Sequence, residues 1–128
     1  EKKVREELEK ERFISEQYGD PSEKKLFYDE FSNRYFEMSI YELLKAIYEA
    51  NRMYNYLGEL KLNDLYEYLG LKKVDIAESL GWNAQKDWEC YGFSWIEVRW
   101  EPMETPDNLE AFAIRFEIDP AKDYEEWK

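Results

Sequence analysis

The amino-acid sequence predicts an α+β fold in which two antiparallel β-hairpins form a small sheet packed against a central amphipathic helix and two short helices. Three observations lead there. Residues 39–58 carry a helical start signal, an apolar stripe and a stop signal. Residues 26–38 hold two aromatic runs on either side of a polar turn. Residues 94–118 contain two stretches in which apolar and polar side chains alternate, as they do along a strand with one buried face.

Taken in order, residues 1–22 are a charged helical or stalk-like segment in which Val4, Leu8, Phe13 and Ile14 form a thin apolar line. Gly19, Asp20, Pro21 and Ser22 break it and place a hinge before the rest. Residues 23–119 form a single α+β domain, and residues 120–128 an acidic C-terminal tail with Trp127 as its anchor. The first hairpin pairs Leu26, Phe27 and Tyr28 with Tyr35 and Phe36, with Asn33 taking the left-handed turn position. Asp29 is expected to accept backbone N–H groups across that turn or to pair with Arg34.

The central helix is the most fully specified element. Ser39 and Glu42 have the spacing of a capping box, in which each side chain accepts from the other's backbone N–H. Met38 and Leu43 flank the cap at the positions of a hydrophobic staple. Ile40, Leu43, Leu44, Ile47, Ala50, Tyr54 and Leu57 recur at three-to-four spacing, which lines them along one face. Gly58 supplies the left-handed stop.

A short extended link at residues 60–62 leads into a second helix that Asn63 is expected to cap and Gly70 to end, with Leu62, Leu65, Tyr66 and Leu69 on its apolar side. Asp75 and Glu78 read as an acid capping pair for a shorter turn, with Ile76, Ala77 and Leu80 inward and Gly81 as stop. Residues 83–92 read as loop, because Trp88, Cys90 and Tyr91 show no period. The last hairpin alternates Ser94, Ile96, Val98 and Trp100 against Phe112, Ile114, Phe116 and Ile118, over a loop at residues 101–110. Charge favours Val98 opposite Ile114, which faces Glu97 with Arg115. A two-residue slip would set Glu97 against Glu117 and Arg99 against Arg115.

Composition removes several functions. With 30 acids against 18 bases the formal charge is -12, so nucleic-acid phosphates and anionic lipid heads would repel the chain. Residues 26–128 hold twenty-two acids and eleven bases, so the excess sits in the domain and not in the N-terminal segment. There is no histidine, which removes the commonest general base and most zinc and copper sites. Cys90 is the single cysteine, with no partner for a disulfide and no histidine to activate it. The five glycines stand apart, so no glycine-rich phosphate loop exists. No cofactor is implied. Pro106-Asp107 and Glu126-Trp127-Lys128 superficially match a nuclease signature, but their predicted places in a loop and in the tail do not bring the carboxylates to one magnesium ion. No run is apolar enough to span a bilayer, and the start at Glu1 instead of methionine fits a removed upstream segment.

Aromatic content is the unusual feature: five Trp, eleven Tyr and seven Phe. A small domain cannot bury all of them, and rigid rings among carboxylates make a competent protein-binding surface. The candidate residues are Tyr41, Tyr48 and Arg52 beside the helical stripe, and Trp95, Glu97 and Arg99 on the outer side of the last hairpin.

Phe27-Tyr28-Asp29, Ser32-Asn33-Arg34-Tyr35-Phe36, Leu62-Asn63-Asp64-Leu65-Tyr66, Tyr68-Leu69-Gly70-Leu71 and Ser79-Leu80-Gly81-Trp82-Asn83, in this order, resemble an uncharacterised family of bacteriophage-encoded proteins. The resemblance covers about residues 25–118. Where that family commonly has glycine in the hairpin, this chain has Asn33. The resemblance implies apolar membrane-type segments upstream and an infected bacterial cell as the setting, with no activity attached. Together these readings predict a non-enzymatic protein–protein interaction module, the soluble part of a membrane-tethered protein. Its partner is a host or phage protein, and self-association is left open. An acidic nucleic-acid mimic and a metal-dependent hydrolase using carboxylates alone are the alternatives.

Overall fold

A computed structural model describes residues 20–126. Most of the N-terminal segment, and Trp127, lie outside the described residues. The architecture is α+β, as predicted. Strands β1 (Lys25–Asp29) and β2 (Arg34–Met38) form the first hairpin, with Phe27 opposite Phe36. Asn33 holds the turn at φ 54°. Asp29 does accept the Ser32 N–H, at 3.1 Å, and it also takes the Ser32 hydroxyl. Arg34 turns elsewhere, donating Nε to Ser32 and Nη1 to the Lys72 carbonyl.

Helix α1 (Ile40–Leu57) starts at the expected box, with both Ser39–Glu42 hydrogen bonds formed at 3.1 Å. It ends at Gly58, whose φ of 84° lets its N–H reach the Tyr54 carbonyl. Ile40, Leu43, Ile47, Ala50 and Tyr54 are buried as the stripe predicts. Leu57 is not, being 60% exposed. Asn51 is buried instead.

Strand β3 (Glu59–Lys61) leads into helix α2 (Leu62–Tyr68). Its cap is Lys61, not Asn63: the Asp64 carboxylate accepts the Lys61 N–H. Asn63 lies in the first turn and its amide binds both the N–H and the C=O of Val74 at 2.9 Å, holding the following loop against the helix. A 3-10 turn (Asp75–Glu78) comes next without an acid cap. Ile76 is exposed, and the Glu78 carboxylate is taken by Lys61 and Asn63.

Gly81 is the clearest change of role. It does not stop a helix but sits within strand β4 (Leu80–Asn83), paired to β3. A Cβ there would fall against the Leu60 carbonyl and 2.8 Å from the Tyr124 ring, so only glycine lets the strand pass. Residues 83–92, expected as loop, form helix α3 (Ala84–Tyr91). Asn83 caps it by accepting the Lys86 N–H, and Gly92 ends it at φ 83°.

Strands β5 (Val98–Glu104) and β6 (Glu110–Phe116) make the last hairpin. Its register is the slipped one, with Val98 opposite Phe116 and Arg99 opposite Arg115, and the Glu117 N–H bonds the Glu97 carbonyl. The expected Val98–Ile114 pairing is therefore overturned. The charges are satisfied diagonally: Arg99 reaches Glu101 and Glu117, while Arg115 reaches Glu101 and, from β1's turn, Glu30. Pro102 does not end the strand, since β5 is an edge strand, where a missing N–H is tolerated.

The two hairpins join through parallel pairing of β1 with β6, giving the order β2-β1-β6-β5. A second, three-stranded sheet, with β4 between β3 and a strand from the C-terminal region, departs from the expected single sheet. Its third strand, β7 (Ala121–Lys122), comes from the expected tail, and a closing 3-10 turn (Tyr124–Glu126) buries Tyr124. The Trp82 indole packs edge-on against Phe116 at 5.3 Å and donates to the Ile118 carbonyl, joining the second sheet to the first. Around it lie Phe27, Phe36, Leu43, Leu62, Leu65 and Phe112. Each fully buried large apolar side chain contributes about 1.5–3 kcal/mol.

Candidate functional site

Two buried carboxylates are the first places to look for chemistry. Asp29 accepts the Tyr66 hydroxyl at 2.5 Å in addition to Ser32, and the Arg34 guanidinium lies 4.9 Å over the Tyr66 ring. Asp87 accepts the Tyr54 hydroxyl at 2.5 Å. Burial pushes the Asp87 carboxyl above its ordinary value, against the Tyr54 hydrogen bond, which pulls it down. Burial first and the paired carboxylate second push both tyrosines up, which keeps their hydroxyls protonated. Both pairs tie one element to another: Asp29 links the first hairpin to α2, and Asp87 links α3 to α1. Among the described residues no group of three or more Cys, Asp or Glu side chains is placed to hold a metal ion. On the outer sheet face Glu30, Glu101 and Glu117 are interleaved with Arg99 and Arg115 in ion pairs, so that face alternates in sign.

The surface differs around α3. Asp87 is the one buried residue of that helix, so α3 is held by a hydrogen-bonded carboxylate instead of an apolar stripe. Two further bonds fix it: the Ala84 N–H donates to the Gly58 carbonyl, and the Ser94 hydroxyl donates to the Ala84 carbonyl. With the inward position given to Asp87, the aromatic residues turn out. Trp88 is 63% exposed and Tyr91 56%, three residues apart on one helical face. Between Gly92 and β5 the chain has no regular secondary structure and its exposure alternates, with Phe93 (38%), Trp95 (43%) and Glu97 exposed while Ile96 is buried. Among the described residues the ring pairs involve Phe27, Phe36, Phe112, Tyr28, Tyr35, Phe31, Phe116 and Trp82, and none involves these four.

The six residues singled out from sequence are all exposed. Tyr41, Tyr48 and Arg52 run along the α1 flank next to Asn51, and Trp95 and Glu97 stand on either side of Ile96. Asn51 joins the two groups, because its amide donates to the Ile96 carbonyl at 2.8 Å and accepts the Ile96 N–H at 2.7 Å. Arg52 and Arg99 are already engaged, by Glu49 and by Glu101 and Glu117. Sequence reasoning missed Trp88, Tyr91 and Phe93 as surface residues. The available signal was Asn83 as cap with Gly92 as stop, which frames a helix whatever its apolar period.

A small α+β domain with an outward aromatic strip is the class of protein this geometry defines. Residues 1–125 match a family of unknown function, DUF6353, and the chain belongs to that family. The match extends beyond the span of the resemblance at both ends. No curated protein and no solved structure matches the chain.

Proposed function

We propose that the protein is a non-enzymatic interaction module that binds a protein partner through α3 and residues 93–97. The observation carrying this reading is the exposure of Trp88, Tyr91, Phe93 and Trp95, four rings within eight residues on a helix and strip held in place by polar bonds and by the buried Ile96. Scattered exposed apolar residues are ordinary, but contiguous aromatic surface marks interaction sites, because rigid rings bury much area at little entropic cost. The phage origin and the upstream membrane tether that the resemblance implies belong to the same reading. No helix among the described residues is long and apolar enough to cross a membrane.

A photo-crosslinking side chain placed at Trp95, and separately at Tyr35 on the far edge of the first sheet, tests the assignment in cells expressing the full chain. A discrete adduct is expected from position 95, absent from position 35 and lost when Trp88 and Tyr91 are both changed to Ser. Equal labelling from both positions, or none from position 95, would overturn it.

A further inference from the structure

Resting on that reading, we infer that the partner's docking segment is basic: a peptide bearing Lys or Arg, laid across α3 and residues 93–97. Its cations would lie over the open faces of Trp88, Tyr91 and Trp95 and against the carboxylates of Glu89 and Glu97.

The charge state of the strip points to this occupant. Between residues 84 and 97 the only cation is Lys86, against Asp87, Glu89 and Glu97. Asp87 is committed inward to Tyr54. The ion pairs formed among the described residues include neither Glu89 nor Glu97. Glu89 has only a long contact from the Gln85 amide, at 3.4 Å. Arg52 and Arg99 are each paired with other carboxylates, and neither lies over one of the four rings. Along the sequence, acids outside the ion pairs thus alternate with exposed aromatic residues, and a cation is the one ligand that both attract, by charge and by the ring quadrupole.

The formal charge of -12 works in the same direction at longer range. It draws a basic segment toward the surface, and it opposes a second copy of the chain or an anionic bilayer. A zwitterionic bilayer would accept the Trp side chains at its interface but would gain nothing from Glu89 and Glu97.

The test uses the full chain with a short oligoarginine peptide as probe, read by tryptophan fluorescence and calorimetry, with an oligoglutamate peptide and phosphatidylcholine vesicles as comparisons. Saturable binding of oligoarginine alone is expected. It should weaken about tenfold in the Trp88→Ser/Trp95→Ser variant. A similar loss is expected in Glu89→Gln/Glu97→Gln, whereas Glu104→Gln/Glu110→Gln, the same charge change at the far end of the last hairpin, should leave it unaltered. Equal weakening in all three variants would mean a general field and would overturn the inference, as would vesicle binding without oligoarginine binding. Mapping the adduct from position 95 separates the two levels. A partner segment without an excess of Lys and Arg sinks this inference and leaves the interaction module standing; the absence of any adduct sinks both.

Discussion

Phe27 and Asn51 are both fully buried, yet the regions they hold are built on different physics. Phe27 sits in the four-stranded sheet, stacked on Phe36 at 5.8 Å and near Phe112 at 6.1 Å, where apolar faces of two hairpins meet α1. Asn51 faces the other region, where α3 and the strip leading to β5 are tied by a few polar bonds: two between Asn51 and Ile96, and one each between Asp87 and Tyr54 and between Ser94 and Ala84. Nearby, Asn83 reaches the Tyr124 carbonyl to hold the last turn on the second sheet. The first region is a packed core that many contacts share. The second is a set of appended elements that enter the core chiefly through Ile96, with Ala84 packed against it, and otherwise depend on one or two donors each. That difference explains why the second can present aromatic rings to solvent: its attachment does not use them.

Four substitutions, with Asp87→Asn as a control for the third, probe the contrast in falling order of effect. Phe27→Ala should destabilise the whole domain by about 3–5 kcal/mol, since it removes a ring from a close-packed centre. Denaturant unfolding should show this as a lower midpoint with the slope unchanged. Asn51→Ala should cost about 1–3 kcal/mol, since it leaves the two Ile96 backbone groups unpaired. Amide exchange should show the loss first in residues 93–97. Uniform loss across α1 and both hairpins would erase the distinction between the regions.

Tyr54→Phe comes third, at about 1–2 kcal/mol, because the Asp87 carboxyl is left buried without its donor. It also carries a pH signature. Burial raises the folded value of Asp87 above the unfolded one, near 3.8, so the folded state binds that proton more tightly. The resulting stability is fully present below the unfolded value and is lost as pH rises through the folded value. Tyr54 lowers the folded value, so Tyr54→Phe should move this window to higher pH, and Asp87→Asn should abolish it. A stability profile from pH 3 to 8 that is identical in Asp87→Asn and the parent would contradict the role given to this carboxylate.

The smallest effect belongs to the start of α1, in the first region. Ser39→Ala should cost about 1 kcal/mol, the usual worth of a cap. The Lys24 ammonium first, and the Ser39 N–H second, hold the Glu42 carboxyl down to about 2. That contribution has the opposite sign to Asp87's: it is present above the unfolded value of 4.5 and lost as pH falls toward 2. Ser39→Ala retains the backbone N–H and Lys24, so most of this acid dependence should persist, which thermal unfolding across acid pH would show.

The parts of the fold that could be read from sequence are those whose signal is local. The Ser39–Glu42 box, Asn33 in its turn and Gly58 after α1 are each specified by residues within one turn of the feature. Helix α3 escaped because its inward residue is Asp87, so no apolar period exists to be found. The hairpin register escaped because opposite charges meet diagonally and Glu30 enters from another strand, which direct cross-strand pairing alone does not capture. For the candidate surface, Trp95 and Glu97 were legible from alternation, while Trp88 and Tyr91 were hidden with the helix that carries them.

By itself, then, the sequence determined where α1 and the first hairpin begin and end, the pairing of two aromatic hairpins into a sheet on that helix, and a chain with no histidine and a formal charge of -12. Only the tertiary structure decided the second sheet, the slipped register and which rings face water. The reason is distance along the chain. Caps and turns are closed by neighbours, whereas the buried partners that place α3 and its strip are separated by 33 residues for Tyr54 and Asp87 and by 45 for Asn51 and Ile96. A buried donor must find an acceptor somewhere, but which one is fixed only when the chain has folded.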